Sequence, residues 1–495
     1  MEDAEIVSRF LKDDFNLHPS ALQELRGMEE PEIEEVLSVV LREVEKPKVV
    51  TPEYLEALRK RKREREVEVR RPRRRVLAEE YEAEMRIRDE RDVTHKSFSE
   101  GNVEGFVRYF NDRYERLARI LRERDALRDA ATIEWIKGST YGGEVRVIGM
   151  VVDIRRSKRG NIIVEVEDPT GTIPVIILSS DPSLMKISRN MVRDEVIGVI
   201  GKLGKDSKIL IAGEVFFPDL PVKKETKKSE APIALAMISD IHTGSTKFLE
   251  EVFLKFTKWL RGELGSAKQR RLAEKVKYLI VGGDLVDGVG IYPGQEKELA
   301  IKDILQQYAK IASYLEEVPD YIEIIVLPGN HDAVRQAEPQ PAIGQDFAPL
   351  FYEDPRIHMV GNPCSTTLHG VEVLTYHGRS LDDIISALPG QSYSEPEKAM
   401  LELLRKRHLS PIYGSKVPIV PEGLDYMLIE EAPDIFHVGH VHHVGVENYR
   451  GVILINSGTF QEQTSFQRKL NMVPTPGTVP IVELQEQKTT IMRFM

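Results

Sequence analysis

Five apolar runs along this chain each end in residues of metal-ligand type, and no other feature constrains the fold as much. Lys277–Gly288 reads KYLIVGGDLVDG: Tyr278–Val281 has the character of a buried strand, Gly282 and Gly283 force a tight turn, and Asp284 follows at once. Upstream, Pro232–Ile241 (PIALAMISDI) leads into Asp240-Ile241-His242. Downstream, Tyr321–Asp332 (YIEIIVLPGNHD) presents Asn330, His331 and Asp332 after Pro328-Gly329. Val371–Gly378 (VEVLTYHG) ends in His377, and Asp434–His443 (DIFHVGHVHH) supplies His440 and His442. Residues two apart in an extended segment point to one side, so Asp240 with His242, and His440 with His442, can face one ion. Strands of this kind belong in an α/β sheet, where ligands collect beyond the carboxyl ends of the strands.

Together Asp240, His242, Asp284, Asn330, His377, His440 and His442 form a mixed oxygen and imidazole set with no thiolate. Such a set suits borderline divalent ions such as manganese, iron or zinc. Seven groups with one carboxylate able to bridge match a two-ion site, with ions roughly 3.5–4 Å apart, that clamps the attacking and leaving oxygens of a phosphate ester. A single histidine after a strand is ordinarily a surface or satisfied core residue. Here seven of the 12 histidines fall in these five stretches, which chance placement does not explain. His437 and His443 keep the ordinary reading.

The order of motifs resembles the calcineurin-like metallophosphoesterase superfamily: Asp240-Ile-His242, Gly283-Asp284-Leu-Val-Asp287-Gly288, Gly329-Asn330-His331-Asp332, His377-Gly378 and Gly439-His440-Val-His442. The resemblance implies one ion on Asp240, His242, Asp284 and His442, and a second on Asp284, Asn330, His377 and His440. It implies that His331 is no ligand but serves the leaving oxygen as general acid or electrostatic stabiliser. Asp287 matches the position that orients that imidazole, and a carboxylate on the far ring nitrogen would favour the protonated form. Protein phosphatases of the superfamily carry Arg after the equivalent of Asp287, and Glu where this chain has Asp332. Here Gly288 stands in place of that Arg, which favours a diester, with its one less charge. The superfamily's nucleases share the Asn-His-Asp form.

Elsewhere the chain divides by pattern. Residues 1–45 read as a small helical module, with Ile6, Phe10 and Leu11 at helical spacing, Ser20 as N-cap of Ala21–Met28, and Ile33, Val36, Leu37, Val40 and Leu41 in a further helix. It serves either as a minor packing domain or as a tethered docking module. Residues 46–96 read as linker, with the charge-dense run Arg59–Arg75 either solvated or in contact with DNA or a partner. Residues 97–217 combine a helix, striped by Phe106, Phe110, Tyr114, Leu117 and Leu121, with five short strands: Glu144–Ile154, Ile162–Glu167, Ile173–Leu178, Val196–Leu203 and Ile209–Phe217. These strands, with a helical insert near Pro182–Ile187, suggest an oligonucleotide/oligosaccharide-binding (OB) barrel. Lys158, Arg159, Lys202, Lys205 and Lys208 could line a single-strand path, but few aromatics accompany them for base stacking. Packing against protein is the simpler use. Residues 218–231 form a charged connector, and 232–495 alternate strands with helical stretches, implying a two-layered α/β sandwich. Within it, Glu397–His408 reads as a helix whose Arg405, Lys406 and Arg407 either meet a DNA strand or form a solvated helix end.

The whole arrangement resembles the small subunits of the archaeal family-D DNA polymerases, through the tethered helical module, the barrel and a phosphoesterase domain with every metal motif intact. RHLSPIYGSKVP (Arg407–Pro418) also looks like that family. The resemblance implies a 3′→5′ exonuclease that proofreads single-stranded or mismatched primer 3′ ends, with manganese or magnesium as working ions and a separate large catalytic subunit as partner. A non-catalytic assembly subunit is the other class of function, and intact ligands argue for the enzyme. A net charge of −11 is unusual for an isolated DNA binder, so the ions or the partner would supply the positive field. The single cysteine, Cys364, excludes a disulfide framework and fits a reducing cytoplasm. No apolar run nears the ~20 residues of a membrane span, and MEDAEIVSRF lacks a signal-peptide pattern.

Overall fold

Near-continuous apolar runs such as ALAMI and KYLIVG can be strands only where both faces of a sheet are covered, and the computed structural model builds that arrangement. It describes residues 3–12, 15–28, 33, 36–37, 40, 49–52, 54–56, 76–139, 143–204, 208–222, 224–469 and 471–495. The run Arg59–Arg75 and Lys205 lie outside the described residues. The chain divides into two units, Met1–Val76 and Leu77–Met495.

In the first unit the amphipathic helix Asp3–Lys12 buries Ile6 and Phe10. They pack with Phe15, Ala21, Leu25, Ile33, Leu37, Val40, Val50 and Leu55. The second helix is Pro19–Leu25, and its N-cap is His18, whose Nδ1 accepts Ser20 N–H at 3.3 Å. Ser20 therefore lies inside the helix instead of capping it. Val49–Val50 pairs in parallel with Asn16–Leu17, so the module extends past residue 45.

The second unit holds the barrel and the sandwich. Five strands close in the order Glu144–Arg156, Ile162–Asp168, Gly171–Ile177, Leu210–Phe216 and Val196–Leu203. The turn Asp168-Pro-Thr-Gly171 is fixed by Asp168 Oδ1, which accepts Thr170 N–H and Gly171 N–H at 2.8 and 3.1 Å. Its Oδ2 accepts Ile133 N–H, the first residue of helix Ile133–Gly138. Helix Val103–Arg122, capped by Asn102, lays Leu117 and Leu121 against barrel residues Ile148, Met150 and Val196 and against Leu428 of the sandwich.

The sandwich has two six-stranded sheets. One runs Ile357–Met359, Glu323–Leu327, Val276–Gly282, Ala234–Ile238, Thr478–Glu483, Lys488–Arg493, with its first four strands parallel. The other runs Gly445–Tyr449, Val452–Asn456, Ile435–Val438, Val371–Tyr376, Cys364–Leu368, Met85–Ile87, parallel across its second to fourth strands. Leu235, Met237, Tyr278, Ile280, Val373 and Ile455 pack between the sheets. Helices Glu250–Leu260 and Ile304–Leu315 cover one outer face, and Leu381–Ala387 and Pro396–Lys406 the other. The expected two layers are thus four, helix–sheet–sheet–helix.

The expected linker 46–96 is corrected at its carboxyl end as well as at residues 49–55. Met85–Ile87 is an edge strand paired with Cys364–Leu368, and buried Asp92 accepts Gly361 N–H at 2.8 Å. This segment belongs to the sandwich because its backbone completes a sheet edge.

Candidate metal centre

The parallel registers align the strand ends. Ile238 pairs with Val281 and Gly282 with Leu327, so Asp240, Asp284 and Asn330 emerge side by side. Tyr376 pairs with Val438 in the other sheet, which brings His377 beside Gly439 and His440. Both sheets therefore deliver their carboxyl ends to one place. Close backbone approach there depends on glycine: a Cβ on Gly329 would lie 2.2 Å from Asp284 Oδ1 and 2.7 Å from His377 Cε1. Asp240, His242, Asp284, His440 and His442 all adopt left-handed backbone, with φ between 53° and 68°. Non-glycine residues held there are strained, and such strain gathers at functional sites.

Three donor groups meet here: Asp240, His242 and His442 form the first, Asp284, His377 and His440 the second, and His242, Asp287 and His331 the third. In the first, His442 Nε2 lies 3.3 Å from Asp240 Oδ1 and 3.1 Å from His242 Nε2. Asp284 Oδ2 stands between the clusters, 3.8 Å from His242 Nε2 and 3.4 Å from His377 Nε2. Asn330 Oδ1 is 3.1 Å from His377 Nε2. All seven expected ligand residues thus come together.

The remaining atoms of these ligands are held by neighbours. Asp284 Oδ1 accepts His331 N–H, and Asp240 Oδ2 accepts Ser239 Oγ–H and His440 N–H. Asp240 Oδ1 is buried without a hydrogen-bond donor. An orphaned carboxylate oxygen facing imidazole nitrogens fits a cation. His377 Nδ1–H donates to Gly282 O at 2.9 Å, which turns Nε2 inward. His440 Nε2 meets Asp382 Oδ2 at 3.2 Å, leaving Nδ1 for the cluster. Such outer partners set which ring nitrogen a metal can use.

The electrostatics agree. Burial alone would raise the Asp284 carboxyl, but His377, His331 and His242 hold it well below the usual range. Burial lowers His377, yet Asp284 and Asp240 push it up to about 10. A proton held so firmly between carboxylates is one that a divalent cation displaces on binding. Burial and Asp284 raise Asp332 to about 7, while Gly329 N–H, Leu285 N–H and Tyr308 Oη–H bind its oxygens.

Two expectations need correction. The Asp287 carboxylate does not orient His331. His331 Nδ1 is 2.7 Å from the Asp287 backbone carbonyl, whereas Asp287 Oδ1 faces His242 Nδ1 at 3.2 Å and accepts Gln461 Nε2–H at 3.0 Å. His331 is also lowered, burial outweighing its carboxylate neighbours, so its protonated form is not favoured. Asp287 instead faces and steadies His242.

Comparison with known proteins bears on the whole chain. Residues 235–445 match the DNA polymerase alpha/epsilon B-subunit family, and 145–215 match an OB-fold nucleic acid binding domain. A "DNA polymerase II small subunit" of Archaeoglobus fulgidus is 46% identical over 412 residues, 83% of this chain and 81% of that protein. One from Methanothermobacter thermautotrophicus is 40% identical over 482 residues, 97% of each chain. The chain belongs to the family of archaeal DNA polymerase II small subunits. Another of these small subunits, from Methanocaldococcus jannaschii, is 42% identical over 408 residues, 82% of this chain and 68% of that protein.

In this small-subunit chain the expected DNA contacts at Arg405, Lys406 and Arg407 are also corrected. Lys406 is 1% exposed, with Nζ 3.1 Å from Glu195 of the barrel and 3.5 Å from Glu402. Arg407 is buried and donates to Glu430 O, and Arg405 pairs with Glu402 and stacks on Tyr449. The helix end is an anchor for the barrel. Beside it, buried Arg113 of the long helix meets Asp425 at 2.8 Å, and Asp425 meets His408 at 2.8 Å.

Sequence reasoning missed Asp382, Gln461 and Gln467, which support His440, Asp287 and His442. Asp382 sits two residues past Ser380, in the first turn of a helix, where acidic residues are common for dipole reasons alone. Its only distinguishing signal is its nearness to His377-Gly378. Among the described residues no helix is long and apolar enough to cross a membrane.

Proposed function

We propose that this chain is the nuclease subunit of a two-subunit archaeal DNA polymerase. Its sandwich is a calcineurin-like metallophosphoesterase that removes nucleotides from single-stranded or mismatched DNA 3′ ends. The reading rests on Asp284 Oδ2, poised between His242 Nε2 and His377 Nε2 at 3.8 and 3.4 Å with a donor cluster on either side. Asp240, His242, Asp284 and His442 would hold one divalent cation, and Asp284, Asn330, His377 and His440 the other. Oxygen and imidazole donors without thiolate suit manganese, with magnesium as the alternative. When bound, two cations supply Lewis-acid charge to the phosphate and acidify an attacking water.

The chain's own residues do the positioning. Asp284 shares itself between the clusters, and its Oδ1 holds the backbone of His331. His331 keeps Nδ1–H on the Asp287 carbonyl, so Nε2 is the ring atom that would meet the leaving 3′ oxygen, and it has a proton to give only when the ring is cationic. Gly288 places no guanidinium after Asp287, in keeping with a diester substrate. The relatives are named small subunits, so a large catalytic subunit is the assigned partner, and the OB barrel offers a nucleic-acid surface.

The test is shortening of a primer with a mismatched 3′ end, in Mn²⁺, with and without the large subunit. We expect stepwise 3′ loss that EDTA, Asp284→Ala or His440→Ala abolishes while circular dichroism stays unchanged. His331→Ala keeps wild-type metal affinity and loses roughly 10²–10⁴ in rate. A folded, metal-loaded wild type that leaves the primer intact in both settings would leave only an assembly role.

A further inference from the structure

Arg379 follows His377 and Gly378, on the rim of the metal centre. Gly378 has φ 115°, and a Cβ there would lie 2.4 Å from Val438 Cγ1, so the chain turns sharply out of the site just before the arginine. The Arg379 guanidinium donates from Nη1 to Gln336 O at 2.6 Å. Gln336 in turn donates from Nε2 to Asn330 O at 2.7 Å. The cation is thereby tied to the loop that carries Asn330 and His331.

Its remaining donors lack a carboxylate. Among the described residues no carboxylate oxygen lies within 4.0 Å of this guanidinium. Other arginines of the sandwich are paired: Arg335 with Glu422 at 2.7 Å, Arg356 with Asp354 at 2.6 Å, Arg450 with Asp219 at 3.0 Å. Glu338, which feels the charge of Arg379, is buried and accepts Tyr376 Oη–H at 2.7 Å. Arginine carries five N–H donors in a planar fork that matches phosphate oxygens. A part-exposed, tethered, carboxylate-free guanidinium beside a site for phosphodiester cleavage is therefore placed to receive an anion.

We propose that Arg379 grips the DNA strand at the phosphate next to the scissile one. This rests on the phosphodiesterase reading above. The residues that would hold the two ions, together with His331, would take the scissile phosphate, whereas Arg379 is fastened through Gln336 to the backbone of Asn330, next to them in the chain. Arg379 is thus a substrate-positioning residue that favours strands over isolated esters.

The experiment compares wild type, Arg379→Gln and Arg379→Lys on a single-stranded oligonucleotide and on bis(p-nitrophenyl) phosphate, which has no second phosphate. Mn²⁺ affinity is measured by calorimetry throughout. Arg379→Gln should lower oligonucleotide kcat/KM by roughly 10- to 100-fold, at least tenfold more than its loss on the small ester. The dependence of log(kcat/KM) on log[salt] should flatten by about 0.7. Arg379→Lys, which keeps the charge without the fork, should keep the steeper slope. Equal losses on both substrates, or wild-type kinetics and slope on the oligonucleotide, overturn the assignment. If wild type cleaves neither substrate, the phosphodiesterase reading itself fails. Oligo(dT) binding in Ca²⁺ then still reads the slope, and an unchanged slope in Arg379→Gln removes the grip as well.

Discussion

Gly329→Ala tests whether the site depends on strand ends meeting without a side chain between them. The new Cβ would lie 2.2 Å from Asp284 Oδ1, 2.6 Å from Asp284 N and 2.7 Å from His377 Cε1. Ordinary contact needs roughly 3.5 Å, so the bridging carboxylate or the loop must give by about 1 Å. Overpacking of this kind costs about 1–3 kcal/mol of stability. A 1 Å misplacement of reacting groups costs about 10²-fold in rate. The expected result is a folded protein with a small fall in its urea midpoint, Mn²⁺ affinity weakened at the Asp284–His377 cluster, and exonuclease rate down about 100-fold. Gly138→Ala is the control, because no atom lies within 4 Å of its added Cβ. Gly329→Ala with wild-type metal affinity and rate would refute the reasoning, since the two ligand side chains it crowds could not then be where the chemistry happens.

Asp382→Asn should weaken Mn²⁺ binding or rate by about 10- to 100-fold, because His440 loses the carboxylate that fixes its tautomer; calorimetry and primer shortening read this out. Lys406→Ala should destabilise the folded chain by about 3 kcal/mol in urea melts, since Glu195 and Glu402 are left buried without their cation. It should also leave the salt dependence of DNA binding unchanged, unlike a phosphate contact. Burial, with Arg113 adding to it, lowers His408 to about 4 from an ordinary 6.5. Folded His408 stays neutral while the unfolded chain takes up a proton, so its contribution is intact above about pH 6.5 and fades toward pH 4. The loss is about 2 kcal/mol at pH 5. Urea midpoints at pH 5 and 7.5 should show it, and His408→Gln should flatten it.

The candidate metal centre is legible in the sequence because its seven residues follow five apolar strands within a few positions, so local pattern and tertiary position coincide. The barrel is legible for the same reason: its strands alternate and its turns carry Gly and Asp-Pro. Where function depends on a partner far along the chain, pattern is silent. Lys406 looks like any helix-end cation until Glu195, over 200 positions earlier, is packed against it. Met85–Ile87 is too short to show alternation and exists as a strand only because Cys364–Leu368 offers an edge. Asp287 does lie beside His331, but residue type cannot tell whether a carboxylate or its own backbone carbonyl makes the bond.

The left-handed backbone of Asp240, His242, Asp284, His440 and His442 has a consequence for how the site persists over time. Each such residue costs on the order of 1–3 kcal/mol, which the surrounding sheets must offset whether or not cations are present. Glycine at any of them would relax the turn, but it would also remove the buried contacts that its side chain makes. The full strained set is present in this chain, as the proposed two-cation site requires.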